Sequence, residues 1–361
     1  MRTLNSRASD VAPPDPAAFF ETVHQAFGRA ERAAGGIDRW YLVAGHPVRL
    51  RFAGPTLVPL IAPALEHLAT APVARPALTV CLWDVESLLP RVPAPPWRMH
   101  DDINSRASRS YSDERIHASF DMGTGVLSLV DGAADLAVYC VRDARRLPGY
   151  EIGAPLKPIF QRAMHGRGGQ LVHAAAVGRP DGGVLLVGKG GSGKSTTALT
   201  CLGTELLYAA DDYCMLSTDP VPYAHSLFNS AKVYAEDLGR FPRLAALPSR
   251  LDDLGIDKAL LFLHPDQRDW ITTGFPVRAI LVPQVTGRPE TSAVPISPAA
   301  ALKALAPSTI FQLAGMDHST LGTLAACVRR VPCYALRLGS TLSAIPAAIQ
   351  DVLAQVSGGA R

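Results

Sequence analysis

The run Gly188-Lys189-Gly190-Gly191-Ser192-Gly193-Lys194-Ser195 satisfies the pattern G-x-x-x-x-G-K-[ST] in full. Glycines let successive backbone N–H groups converge on phosphate oxygens, and a helix N-terminus behind them adds partial positive charge. In such a loop Lys194 reaches the β and γ phosphates, the Ser195 hydroxyl ligates Mg²⁺, and Thr196 carries the chain into the helix. The flanks agree. Val184 to Val187 reads as an apolar strand leading in, and "KSTTALTCLG" as a helix leading out that Gly203 terminates. A glycine-rich hairpin with an incidental lysine would lack those flanks, so ATP and Mg²⁺ are the expected cofactors.

Two carboxylates return soon afterwards, in "ELLYAADD". A helix from Lys194 to about Leu202 descends roughly 12 Å, and a strand from about Glu205 to Ala210 climbs back roughly 17 Å. A right-handed crossover makes that strand parallel to the P-loop strand. Asp211 and Asp212 then arrive at its C-terminal end, where ligands bind in open α/β sheets. Transporter and motor ATPases bring their acidic strand much farther along the chain. Early carboxylates suit a compact kinase, in which one Asp orients a substrate hydroxyl and another holds Mg²⁺. The bland alternative is a solvated pair capping the next turn, but the apolar strand before it aims the pair at the phosphates. His173, in "QLVHAAAV", faces the same end of the sheet if its strand pairs with the P-loop strand through the "GRPDGG" hairpin. A lone histidine on an apolar strand is more often a satisfied core residue.

The elements that must position these residues follow from the rest of the chain. Its 361 residues suit two domains, and 48% hydrophobic with 19% charged residues allows a sizeable core. The net charge of +3 comes without a basic stripe, so no nucleic-acid partner is expected. Six cysteines without a CxxC read as reduced, buried thiols. The first residues show no apolar signal core, and no apolar run reaches about 18 residues, so no membrane partner and a cytoplasmic location are expected. Residues 1–16 read as a disordered tail. Residues 17–155 read as a smaller α+β module, a candidate for substrate binding, that opens with a helix carrying Phe19, Phe20, Val23 and Phe27. Residues 156–361 read as the P-loop catalytic domain. His100-Asp101-Asp102 invites a metal, but no companion ligand lies at a helical or hairpin spacing.

Together, His173, the P-loop and the Asp pair resemble the catalytic domain of the HPr kinase/phosphorylase family, in that order and at that family's spacing. His173 precedes Gly188 by 15 positions, and Asp211 and Asp212 follow Lys194 by 17 and 18. The resemblance covers residues 165 to 215 well and the rest of the C-terminal half loosely. It implies an α/β P-loop kinase domain of the HPr kinase type, a mixed sheet with flanking helices, preceded by the smaller α+β domain. It further implies that one of Asp211 and Asp212 is the general base toward a serine hydroxyl while the other helps hold Mg²⁺. The residues leave that division open, with Ser195 and Asp212 taken as the metal pair. His173 would support the base or the transferred group, and Lys194 counts with these three as catalytic.

The chain departs from the family in having Ser195-Thr196 where members have Ser-Glu, and in lacking the second signature tied to the reverse, phosphorolytic reaction. It looks more like the divergent serine kinases of peptide-modification clusters, including lasso-peptide precursor kinases. The expected partner is accordingly a peptide or small protein with a serine acceptor. The family's ring-shaped hexamers leave an oligomer open. Lys232, Lys258 and Arg337 are candidates to neutralise the transferred phosphoryl group, though each reads first as a solvated charge. Two other readings compete. One is a small-molecule kinase of the shikimate or gluconate type, with "VPYAHSLFNSAKVYAEDLGRFPRL" as its lid. The other is an ATP-binding regulatory module.

Overall fold

The computed structural model describes residues 15–88, 112–251, 258–313 and 318–358. Residues 1–14 of the expected tail and the His100-Asp101-Asp102 triplet lie outside them.

Helix α1 (Pro16–Ala34) starts at Asp15, whose carboxylate accepts from the Ala18 amide, and stops at Gly35 with φ 80°. Its Phe19, Phe20, Val23, Ala26, Phe27 and Ala30 recur every three to four residues and are all buried. Strands β1 (Gly36–Val43) and β2 (His46–Ala53) form a hairpin. The one-turn helix α2 (Val58–Ile61), strand β3 (Leu78–Asp84) and the one-turn helix α3 (Val85–Leu88) come next. Strands β4 (Ile116–Asp121), β5 (Val126–Asp131) and β6 (Leu136–Val141) complete a six-stranded mixed sheet in the order β1-β2-β3-β6-β5-β4. Helix α1 covers one face. The other face meets α4 (Gly149–Ile152) and α5 (Lys157–His165).

Residues from 170 onward build a second, nine-stranded sheet. It contains β7 (Gln170–Val172), β8 (Ala175–Arg179) and β9 (Gly182–Leu186), the last leading into helix α6 (Lys194–Thr200). Strands β10 (Leu207–Ala210), β11 (Cys214–Ser217) and β12 (Tyr223–His225) follow. Strand β13 (Ser230–Tyr234), the one-turn helix α7 (Pro242–Ala245), β14 (Ser249–Leu251) and β15 (Lys258–Phe262) make a separate three-stranded sheet with its helix. Strands β16 (Gly274–Val285) and β17 (Ser292–Ile296), helices α8 (Pro298–Gln312) and α9 (His318–Arg330), strand β18 (Cys333–Leu338) and helix α10 (Ala344–Gly358) complete the chain. The main path of the large sheet runs β10-β8-β9-β16-β12-β11-β7, with β18 on β16 and β17 on β18.

Its central strands are covered on both faces, which explains their unbroken apolar runs. Ala175, Val177, Val184 and Leu186 point toward α6, α10 and the small sheet, while Ala174, Ala176, Leu185 and Val187 point toward α8 and α9. The alternation is strict because side chains on a strand have a period of two. The segment read as a lid is instead built into sheets as β12 and β13, with α7 behind them, and Ala224, Ala231 and Val233 are buried. All six cysteines are buried and unpaired. No helix of the described residues is long and apolar enough to cross a membrane.

The two sheets share a core. Tyr41, Leu50 and Tyr139 from the first, and Ile152, Leu156 and Phe160 after it, pack in one cluster with Met215, Leu227, Phe228 and Leu260. Polar contacts cross the same seam. The Asn229 side-chain amide donates to the carbonyls of Pro63 (2.7 Å) and Ala64 (3.1 Å) and to His67 Nδ1 (3.3 Å), while its oxygen accepts from the His264 amide. His67 therefore carries its proton on Nε2 and donates it to Ser226 Oγ at 2.7 Å. The trio joins the two halves across this seam.

Burial lowers the pKa of His67 to about 3 and that of His225 to about 4. Below pH 6.5 the unfolded chain takes up protons that these folded sites refuse, so folding stability falls as pH drops from about 6.5 toward 4. The melting temperature is expected to decline over that interval by calorimetry. His67→Gln is expected to melt lower at pH 7 but with a shallower decline; an unchanged slope would contradict the assignment.

Candidate active site

Two registers bring the chemistry together. Strand β8 is antiparallel to β9, with Ala175 opposite Leu186, and antiparallel to β10, with Ala176 opposite Ala210. The start of β8 therefore lies beside the ends of both β9 and β10. Strands β9 and β10 run in the same direction, as the crossover required, but β8 lies between them. His173 sits in the break between β7 and β8, not within a strand as the sequence pattern suggested. Its amide donates to Thr309 Oγ1 at 3.2 Å, which ties the break to α8.

The loop between β9 and α6 turns on Gly188 (φ 151°), Gly191 (φ 76°) and Gly193 (φ 100°). Only glycine takes such angles without strain. At Gly193 a Cβ would also meet Leu338 Cδ1 at 2.5 Å, so the loop rests on β18. Lys194 is 5% exposed, and its ammonium donates back to the loop, to the carbonyls of Gly188 at 2.7 Å and Lys189 at 3.3 Å. Burial lowers its pKa, against the pull of Asp212 and Asp211. A phosphate entering the loop would give this buried cation a stronger acceptor than a carbonyl. Gly190 and Lys189 are exposed at the rim, and Ser195 and Thr196 are half-buried at the start of α6.

The two aspartates are in unlike surroundings. Asp211 is 4% exposed, and neither carboxylate oxygen has a hydrogen-bond partner of normal geometry among the described residues. Burial, followed by the charge of Asp212, pushes its pKa up to about 7, and the nearby Ser195 hydroxyl, Lys232 and Lys194 pull the other way. Asp212 is a third exposed and pairs with Lys232 Nζ at 2.9 Å. Burial would raise its pKa, but Lys232, then His173 and Lys258, outweigh it and hold the carboxyl below the ordinary range. His173 Nε2 lies 3.9 Å from Asp212 Oδ1, too far for a hydrogen bond. Burial, then Lys194, drops the His173 pKa to about 4, so the ring is neutral at pH 7. Its Nδ1 has no partner among the described residues.

Of the three basic residues singled out in the sequence, Lys232 pairs with Asp212 and Lys258 acts on it through its charge. Lys232 and Tyr234 share one face of β13, and the register Tyr234↔Lys258 sets Lys258 beside them, its ammonium 4.5 Å from the Tyr234 ring centroid. Arg337 is exposed on β18, and no ion pair or hydrogen bond links its side chain to the pair among the described residues.

Sequence reading missed a further set, drawn from residues 139–157 on either side of the expected domain boundary. Gly153 lies against Lys232: a Cβ there would meet Lys232 Cε at 3.2 Å and Leu260 Cδ1 at 2.7 Å, and its carbonyl accepts from Ser230 Oγ. Beside it, the carboxylate of buried Glu151 accepts from Tyr139 Oη at 2.9 Å and from Lys157 Nζ at 3.2 Å. Lys157 lies 5.7 Å from the ring centroid of Tyr213, the residue after Asp212, and the His173 ring centroid lies 5.4 Å from that of Tyr213. No motif in "YEIGAPLK" announces this; only the fold brings it to the site.

A buried, partnerless carboxylate beside the hydroxyl of Ser195 has the donor set of a magnesium site, since Mg²⁺ takes oxygen ligands and uses few from protein. No cluster of three or more His, Cys, Asp or Glu suited to a metal occurs among the described residues. A site completed by nucleotide phosphates does not need one.

No family model matches the chain, and no curated protein matches it. Among solved structures, the HPr(Ser) kinase/phosphatase from Coxiella burnetii is similar over 52% of this chain and 99% of its own, with 14% identity and a TM-score of 0.29.

The surroundings of Asp211 predict a stability signature. A carboxyl whose folded pKa lies above its unfolded value destabilises the fold increasingly as pH rises toward that folded value. Asp211→Asn is expected to raise the melting temperature of the nucleotide-free protein at pH 8, by about 2–4 °C, and by less at pH 5. An equal or opposite change at the two pH values would contradict a charged, unpartnered Asp211.

Proposed function

We propose that this chain is an ATP- and Mg²⁺-dependent phosphotransferase that moves a γ-phosphoryl group to a serine hydroxyl on a peptide or small protein. The observation that carries the proposal is the convergence of Lys194, Ser195, Asp211, Asp212 and His173 at the C-terminal ends of β9 and β10. A loop that only bound nucleotide would have no use for a second, ionised and accessible carboxylate there.

Each residue has a role that its surroundings favour. Lys194 leaves the Gly188 carbonyl for the β and γ phosphates. Asp211 and Ser195 would hold Mg²⁺, which when bound neutralises charge between those phosphates. The sequence had paired Ser195 with Asp212; the bare oxygens of Asp211 and the Lys232 contact of Asp212 support the exchange. Asp212 stays deprotonated beside Lys232 and takes the serine proton as the hydroxyl oxygen attacks phosphorus and the bond to ADP breaks. Neutral His173 flanks Asp212 and limits how its carboxylate can turn. An ion pair exposed to this degree is worth about 1 kcal/mol or less. Lys232 can therefore shift toward the transferred group at small cost, with Lys258 behind it.

A serine acceptor on a polypeptide, including a ribosomal precursor of the lasso-peptide kind, is supported by the motif spacing and by the accessible edge of Asp212. A small-molecule kinase of the shikimate or gluconate type is disfavoured by the burial of its required lid in β12 and β13.

Intact-mass measurement of candidate peptides and the phosphocarrier protein, after incubation with ATP and Mg²⁺, tests the reading. One phosphoryl group is expected on an acceptor serine. Asp212→Asn should slow transfer by about 10²–10⁴-fold with nucleotide affinity kept. Tight ATP binding with no transfer to any acceptor would move the chain to the regulatory reading. Gly153→Ala offers a second check, since φ −74° accepts alanine and its Cβ would press on Leu260 Cδ1, the Gly149 carbonyl and Lys232 Cε. It should lower turnover and leave the KM for ATP unchanged; an unaffected turnover would exclude Lys232 from the reaction.

A further inference from the structure

Helix α1 does not cover the whole of its sheet face. Its apolar side meets residues from Ala53 of β2 to Ala118 of β4. The β1 end stays open: Leu42 is 46% exposed, Trp40 is half-buried, and Asp38 is exposed. Between α1 and the strand residues Arg49, Arg51, Thr79, Cys81 and Leu136 runs a cleft of roughly 560 Å³, a size typical of ligand sites. Its polar wall is the face of α1 carrying Glu21, Gln25, Gly28 and Arg32, spaced to lie along one side of the helix.

The lining holds four arginines, Arg29, Arg32, Arg49 and Arg51, against two glutamates, Glu21 and Glu31. Arg51 is paired with Glu31, and Arg49 with Asp38 at 2.7 Å while its guanidinium lies 5.6 Å from the Trp40 ring centroid. Arg29 and Arg32 are exposed and make no ion pair among the described residues. Positive charge therefore lines the cleft, and Arg49 links it to the Trp40 ring outside it.

Gly28 is a second, independent observation. It stands inside α1, where glycine weakens a helix relative to alanine. No left-handed backbone angle requires it. The nearest atom a Cβ would meet is the flexible Arg32 guanidinium, at an ordinary 3.5 Å. Neither packing nor conformation accounts for a glycine here. Its missing side chain does widen the cleft beside the arginines, and close backbone approach to a ligand is a recognised use of glycine.

We propose that this cleft is a docking groove for an acidic, extended segment of the acceptor polypeptide, held by Arg29 and Arg32. The inference rests on the reading of a polypeptide acceptor, and it gives the first sheet a part in substrate choice.

The test uses the full chain without ATP. A short fluorescein-labelled peptide rich in glutamate, with one leucine, is titrated by anisotropy against the same peptide with glutamine in place of glutamate. The glutamate peptide is expected to bind, more weakly as salt rises, and the glutamine peptide to bind at least about tenfold less tightly. The exposed double variant Arg29→Glu/Arg32→Glu should lose binding while still binding ATP. Gly28→Ala should melt higher yet bind the peptide less tightly, a combination that a purely structural glycine would not give. Equal binding of the two peptides, an unaffected charge-reversal variant, or full displacement by a single-stranded oligonucleotide at lower concentration than by unlabelled peptide would overturn the groove. Peptide binding in a chain that transfers no phosphoryl group would sink the kinase reading and keep the groove. Transfer to an acceptor with no peptide binding would do the reverse.

Discussion

The site depends above all on one strand, β8, being antiparallel to both of its neighbours. With Ala175 opposite Leu186 and Ala176 opposite Ala210, the chain must enter β8 where β9 and β10 both end. The P-loop leaves from one of those ends and the Asp pair from the other. His173, two residues before β8, has no alternative but to lie with them. A shift of one residue in either register would turn Ala175 and Val177 away from α6 and onto the α8 side, so core burial and site assembly are enforced together.

The electrostatics then divide two adjacent aspartates that the sequence leaves equivalent. Successive residues at a strand end point in opposite directions. Asp211 turns into the protein, where burial makes its charge costly unless a cation arrives. Asp212 turns outward to Lys232 and stays ionised. The device is completed from β6 and the α4–α5 segment, where Gly153 lies against the Lys232 stem and Lys157, held by Glu151, lies beside Tyr213. A buried ion pair of this kind is weak evidence for stability; its position behind the Asp pair is the more telling fact. The division drawn at residue 155 passes between α4 and α5, whose residues share one apolar cluster with Met215 and Leu260.

What the sequence revealed was local. The P-loop, its flanking strand and helix, the return of the Asp pair and the α1 pattern all depend on spacings within a few tens of residues, where 2.0 and 3.6 periodicities and glycine placement are explicit. The mixed α/β class was legible for the same reason. The insertion of β8 between β9 and β10 was not, because it depends on a register that no local pattern encodes. Lys232 read as a solvated charge since its partner, Asp212, lies 20 residues away and follows a strand of a different sheet. Glu151, Gly153 and Lys157 left no trace in the sequence: their roles exist only where the two sheets meet.

The central claim is that Asp211 and Ser195 hold the metal of a nucleotide whose phosphates replace the Gly188 carbonyl as the partner of Lys194. A crystal structure with Mg²⁺ and a non-hydrolysable ATP analogue tests it most directly. The account predicts Lys194 on the β and γ phosphates, the metal on Ser195 with Asp211 facing it, and Asp212 open toward solvent with His173 beside it. Lys194 still on the Gly188 carbonyl, or the metal on Asp212 with Asp211 left bare, would contradict it.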